Sequence, residues 1–484
     1  MADAARSTQD GLSRRSFLNR SAATGLGVAL AGSLDSIFGA TAASGADTAT
    51  GGFGPLVADP RGKLSLPPGF SYTVIAQEGV SVLDSGEKTP GRMDGTASFP
   101  RPRGDGVVLV NNHEISGLPE ENVPVPHLSG LVYDPGAYGG TTNIEVDAEG
   151  KRVREYVSLA GTDNNCAGGA TPWNTWLSCE ETEDVPDASD PENTLTKRHG
   201  YVFEVDPYVQ VANRNPKPIK ALGRFAHEAA VVDPNEGVLY LSEDASEPNG
   251  LLYRWTPPSA ALPLGRGSLR RLGDQDGVLE AMRAFTGAGR FVPDLSLATR
   301  PGTTFDLEWV TVEERDAVTT STRKQFDYDD VSGTPGGRIT RSRKFEGQWW
   351  GDGGAYVVAS FARFEDGSAR QHDGQVWFLD PLRQTLELKL IFAYTPRDQD
   401  SDPDGPDNIT VSPFGGVILA EDGEGKQHLV GASSIGKTFF FARNEIEGDS
   451  EFTGPNFAPD RRTLYANVQS PGHVFAIRGP FRGA

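Results

Sequence analysis

The feature that most restricts this chain is a series of short apolar segments of period two, each bounded by Gly, Pro, Asn or Asp. They include residues 106–110, 201–205, 237–241, 355–359, 375–379 and 437–441. Such alternation sets one face of a pleated strand against a core, and the turn formers end each strand after a few residues. Beyond the N-terminal segment no long stretch carries the i, i+3, i+4, i+7 spacing of an amphipathic helix. The 58 glycines and 34 prolines supply the turns. The expected class is therefore all-β: a sandwich, a barrel or a propeller.

A loose internal repeat selects the propeller. Residues 172–181 end in Cys179-Glu180-Glu181; residues 227–244 open on His227-Glu228 and end in Ser242-Glu243-Asp244; residues 407–422 open on Asp407-Asn408 and end in Ala420-Glu421-Asp422. A fourth segment, 455–469, has the strand but ends in Asn467-Val468-Gln469. Each blade of a propeller points one strand end at the central channel, so acids at repeated positions converge on the axis. On this reading residues 47–484 form a single β-propeller catalytic domain. Residues 265–304 interrupt the repeat and read as an insertion, with a short helix expected over 278–285. The aspartate-rich stretch 396–406 reads as a solvated or metal-binding loop.

Carboxylates that face one another across a narrow channel repel, so this pattern calls for bound cations. The candidate metal ligands are Glu114, Cys179, Glu180, Glu181, His227, Glu228, Glu243, Asp244, Glu308, Asp407, Asn408 and Glu421. The excess of oxygen donors suits Ca²⁺, and a thiolate with an imidazole admits a transition metal as well. Each piece also has a plain reading: a Glu at a strand end is usually solvated, His227-Glu228 is a capped turn or a satisfied buried pair, and Cys166 with Cys179 is a disulfide. Trp173, Trp176, Trp349 and Trp350 read as packing.

The net charge of −21 disfavours nucleic acid and anionic membranes as partners. The N-terminus carries Ser13-Arg14-Arg15-Ser16-Phe17-Leu18, a mildly apolar run over 22–34 and small residues around Ala40-Thr41-Ala42. That order is the layout of a twin-arginine export signal, and the apolar run is too short for a membrane span. Removal of residues 1–46 by way of the twin-arginine machinery, release outside the cytoplasm and a monomeric state are the expectations.

Several motifs carry a resemblance over nearly all of the mature chain. They are Leu66-Pro67-Pro68-Gly69-Phe70, Asn111-Asn112-His113-Glu114, Gly139-Gly140-Thr141-Thr142, Asn165-Cys166-Ala167-Gly168-Gly169, Thr171-Pro172-Trp173 running to Cys179-Glu180-Glu181, Gly223-Arg224-Phe225-Ala226-His227-Glu228, Pro406-Asp407-Asn408, and 454–472. Together they resemble the PhoX family of alkaline phosphatases. The resemblance implies a six-bladed propeller, exported folded, that hydrolyses phosphate monoesters with an iron pair and several calcium ions. It carries the family's iron-binding cysteine to Cys179 in preference to Cys166. Two departures, Asn174 where the family has Gly and Ser178 where it has Thr, bear on substrate fit more than on metal binding. A phosphate dianion is hydrolysed mainly by positioning and charge neutralisation, so arginines are sought beside the metals, and Arg224, Arg338 and Arg363 are the candidates. A calcium-dependent lactonase and a non-enzymatic, calcium-stabilised interaction propeller are the rival readings.

Overall fold

The computed structural model describes residues 52–117, 122–327, 337–360, 372–393, 402–423, 425–433 and 436–481. The export signal, Arg363 and residues 396–401 of the aspartate-rich stretch lie outside the described residues. Within them the chain is strands, turns and short 3-10 segments, with no α-helix.

The strands form five hydrogen-bonded sheets in a propeller-like arrangement. Two are antiparallel meanders, one from Met93–Pro100 to Arg152–Thr162 and one from Asn165–Ala170 to Val202–Val205. A ten-stranded sheet spans His227–Val232 to Thr385–Ala393. The last two sheets are completed from the N-terminus: Leu64–Ser65 pairs with Thr438–Asn444, and Ser71–Gln77 pairs with His473–Arg478. Early and late strands thereby close the circle, which covers edges that would otherwise remain open. Six strands line the axis, Met93–Pro100, Asn165–Ala170, His227–Val232, Phe345–Gly351, Pro406–Val411 and Phe452–Phe457, each packed on the next and the last on the first.

Two expectations are corrected. The expected six separate blade sheets are five, because Thr304–Thr311 pairs with Thr385–Ala393 and fuses two four-stranded units into the ten-stranded sheet. The expected helix at 278–285 is the strand Val278–Thr286. Its Ala, Met, Glu and Arg favour a helix locally, but partners on both edges, Leu252–Thr256 and Thr304–Thr311, override that propensity. Leu279 and Ala281 then enter one apolar core, and Met282 and Ala284 the next.

The cores lie between sheets, where Trp176, Trp255 and Trp377 are fully buried. Trp173, Trp349 and Trp350 pack against the same cores.

Candidate metal centre

Two local rules of the fold build the site. First, every axial strand slips register near its start, between Met93 and Thr96, Asn165 and Gly168, His227 and Ala230, Phe345 and Gln348, Pro406 and Ile409, and Thr453 and Asn456. A bulge turns a side chain away from the direction that strict alternation would give it. The residues at five bulges are Asp94, Cys166, Glu228, Glu346 and Asp407. The sixth holds Gly454 at φ 56°, where a Cβ would lie 2.6 Å from the Asp94 carbonyl oxygen. Second, the residue just past the neighbouring strand faces the same space: Glu114, Glu181, Asp244, Asp422 and Gln469 follow strands ending at His113, Glu180, Glu243, Glu421 and Val468. The pairings Met93 with His113, Asn165 with Glu180, His227 with Glu243 and Pro406 with Glu421 set the two rules side by side. Glu451 joins from the turn before Phe452–Phe457.

Ligand atoms of Glu114, Cys166 and Glu181 lie within 4.8 Å of one another, as do those of Glu228, Glu346 and Asp407. The two groups belong to one field, because Glu228 interacts with Glu181 and Asp407. Burial, then mutual repulsion, pushes the Glu181, Glu228 and Glu451 carboxyls well above the usual range. Burial and Glu114 raise Asp94 to about 8, and burial followed by Asp94 and Glu228 raises the Cys166 thiol. Arg92, Lys344 and Arg343 moderate this field, Arg343 by its charge near Asp244. Arg92 donates to Glu114 at 2.9 Å, and the Lys344 ammonium lies 3.1 Å from Glu346 and 3.8 Å from Asp244. Gln469 donates to Asp94 at 3.1 Å and to Glu114 at 2.7 Å. No N–H or O–H reaches either Glu228 oxygen among the described residues, and the Cys166 thiol is its closest relief. A crowd of acids with an unanswered carboxylate and a thiol fits bound cations: oxygen donors for a hard ion and sulfur for a softer one.

Sequence reasoning placed Glu114, Glu181, Glu228, Asp244 and Asp407 here, and the structure brings all five together. Asn408 stands beside them and donates to Asp407 at 3.1 Å. Three acids turn the other way and brace the strand ends. Glu180 accepts from the Asp163, Gly200 and Tyr201 amides and from His199 Nδ1 at 2.7 Å. Glu243 is held by Tyr253 at 2.8 Å and Arg323 at 3.1 Å. Glu421 is held by His428 at 2.8 Å and the Asp404 amide at 3.0 Å. The period-two strand explains the split, since the first acid of each pair points away from the axis and the second toward it.

Five further expectations are corrected by position. Cys179 lies in the apolar core with Leu177 and Val202, fully buried, and Cys166 occupies the acid cluster instead; neither forms a disulfide. His227 stacks on Phe225 at 3.6 Å, away from the acids, and burial lowers it to about 3. Glu308 is 58% exposed and pairs with Arg283. Arg224 is a buried strut that donates to the His199, Ala317 and Glu183 carbonyls. Arg338 lies over the Phe291 ring, 5.0 Å from its centroid.

The site also contains Cys166, which the sequence reading ranked below Cys179, and Arg92, Asp94, Lys344, Glu346 and Glu451, which it left out. A signal for four of them exists in Arg92-Met93-Asp94-Gly95 and Lys344-Phe345-Glu346-Gly347: cation, apolar residue, acid, glycine. Glycine is required because a Cβ on Gly95 would lie 2.6 Å from Ala167 Cα, and one on Gly347 2.8 Å from Asn408 Cα. Arg92 and Lys344 both hold left-handed backbone, at φ 50° and 39°. Such strain in a non-glycine residue persists where the surroundings enforce it, commonly at functional sites.

Fold and site together define an all-β, propeller-like protein with a cation-demanding polyanionic centre on its axis. A family model described as "Alkaline phosphatase PhoX" matches residues 51–472, nearly the whole chain. The chain belongs to the PhoX alkaline phosphatase family and is a metal-dependent phosphatase hydrolase. The search of curated proteins finds no match. Among solved structures, a luciferin-regenerating enzyme is 11% identical, with 81% of this chain and 95% of that chain covered and a TM-score of 0.37. The PQQ domain of pyranose dehydrogenase from Coprinopsis cinerea is 10% identical, covers 87% and 98%, and has a TM-score of 0.37. The Dos1 propeller is 11% identical, covers 85% and 95%, and scores 0.31.

Proposed function

We propose that this phosphatase hydrolyses phosphate monoesters with iron held by Cys166, Glu114 and Glu181 and calcium held by Glu228, Glu346, Asp407 and the neighbouring acids. The observation that carries this reading is the pair of donor groups of different softness side by side, one containing a thiol and one of oxygens alone. Bound, such ions would neutralise the phosphate dianion and lower the pKa of a coordinated water. The protein's own part is positioning. Arg92 is 34% and Lys344 27% exposed at the side chain, so both reach solvent from within the acid cluster. They are the cations placed to receive phosphoryl oxygens, Arg92 through two parallel N–H bonds and Lys344 as a point charge. Gln469 and Asn408 hold the acids in place. The thiol favours this reading over a calcium-only lactonase.

Folded export through the twin-arginine route, release outside the cytoplasm and action as a monomer complete the proposal. Among the described residues no helix is long and apolar enough to cross a membrane. The test is elemental analysis and an absorption spectrum of protein from its natural export route, with phosphomonoester turnover before and after chelation. Iron, calcium, visible colour and chelator-sensitive turnover are expected. Calcium without iron, together with lactone turnover, would overturn the proposal.

A further inference from the structure

The inner-strand bulge that carries Cys166 is held from outside its own sheet. Asn112, in the strand Val107–His113, is fully buried. Its Nδ2 donates to the Cys166 carbonyl at 2.7 Å and to the Ala167 carbonyl at 2.7 Å. Its Oδ1 accepts from Trp176 Nε1 at 2.9 Å and from Ser178 Oγ at 2.9 Å. Two donors and two acceptor positions are all an amide offers, and all four are used. The ladder is interrupted between Asn165 and Gly168, which is where those two carbonyls turn to the amide. A flipped amide would set oxygen against both carbonyls and NH₂ against the indole N–H, so its orientation is fixed by chemistry.

We propose that Asn112 is a positioning residue for the reaction: it clamps the Cys166–Ala167 bulge and so sets where the thiol meets Glu114 and Glu181. The inference rests on the metallophosphatase reading above. Asn112 lies two residues before Glu114, so one residue ties the backbone of two members of the Glu114, Cys166, Glu181 group across a sheet boundary. Related contacts hold other bulges: Asn467 Nδ2 donates to the Asp94 carbonyl at 2.6 Å, and Ser242 Oγ to the Glu346 carbonyl at 2.8 Å. Among the described residues, only at Cys166 does one side chain hold two successive carbonyls and accept two donors in return.

The experiment uses the full-length, metal-loaded enzyme with Asn112→Ala, Ser178→Ala and Trp176→Phe, and the exposed Glu308→Ala as the comparison. Changes one layer outside metal ligands typically cost about 10- to 100-fold in metal affinity or activity. Asn112→Ala is expected to lower kcat and resistance to chelator by about that factor, while KM changes little. A second readout follows Cys166 alone, as the rate of thiol labelling after chelation in a Cys179→Ala background. Asn112→Ala should change that rate, and Glu308→Ala, at an exposed position outside the acid cluster, should not. A folded Asn112→Ala enzyme with wild-type kcat, chelator resistance and labelling overturns the proposal. So does a loss that follows melting temperature alone with labelling unchanged. If Asn112→Ala does not fold, Ser178→Ala and Trp176→Phe decide: partial loss of kcat with altered labelling supports the clamp, and wild-type behaviour in both overturns it. Failure of the phosphatase reading would look different, as a wild-type protein with no phosphomonoester turnover in which labelling and metal retention still respond to Asn112.

Discussion

The two cysteines should separate stability from catalysis when each is replaced by serine. Cys179 is fully buried among apolar side chains, and its strand pairs it with Val202. A hydroxyl there leaves water for an apolar setting, which costs about 1–3 kcal/mol and, for a domain of this size, lowers the melting temperature by about 1–4 °C. The folded fraction of Cys179→Ser should keep metal and turnover. Cys166 already faces polar groups, with Asp94 Oδ1 at 3.9 Å and Glu228, Glu181 and Glu114 around it. Serine there keeps polar neighbours and should cost less stability than at Cys179. It removes the soft donor, however. Since residues merely behind a metal ligand cost about 10- to 100-fold, loss of the ligand itself should cost at least about tenfold in metal retention and kcat. Thermal melting, iron per chain, visible absorbance and turnover of both variants make the comparison. A Cys166→Ser enzyme that kept its iron and turnover would refute the reasoning, as would a Cys179→Ser enzyme that lost them well below its melting temperature.

Chelated enzyme should be less stable at about pH 9 than at about pH 5, because a carboxyl raised in the fold binds its proton more tightly there than in the unfolded chain. For Asp94, raised from 3.8 to about 8, that stabilisation is lost as pH rises through the folded value; metal-loaded enzyme should lack this slope, and thermal melts with and without chelator at both pH values check it. Burial opposes charge on His199, yet Glu180 with Asp163 and Asp134 outweighs it and raises the group from 6.5 to about 9. His199→Ala should therefore cost about 3–5 kcal/mol near neutral pH, with the deficit shrinking as pH rises through 9, measured by denaturant unfolding across pH. Lys344→Met should raise KM and lower kcat for a phosphomonoester, whereas Arg224→Ala should lower the melting temperature and leave the kinetics of the folded fraction near wild type. Arg14→Lys with Arg15→Lys should leave the protein in the cytoplasm, and normal export of that variant in a fractionation assay would contradict the signal reading.

Alternation along the chain was enough to dictate an all-β fold, because period two is local and survives any arrangement of strands. The repeated acid pairs likewise announced an axial cluster of acids that calls for cations, and Glu114, Glu181, Glu228, Asp244 and Asp407 meet in it. Which member of each pair faces the axis was not legible. Glu180, Glu243 and Glu421 differ from Glu181, Asp244 and Asp422 only by one step of the pleat, and that step depends on where each strand ends. The cysteines show the same limit more sharply. Cys179 stands before an acid pair in sequence but points into a core, while Cys166 stands on a bulge, a register slip created by pairing with Trp176–Glu180. A bulge is a property of two strands together, so no single strand announces it. The Val278–Thr286 strand follows the same logic, since its helix-favouring residues yield to partners on both edges. Local pattern thus determined the class of fold and the chemistry the axis must hold. Pairing between distant strands decided which atoms meet there, because register, not composition, sets the direction of every side chain.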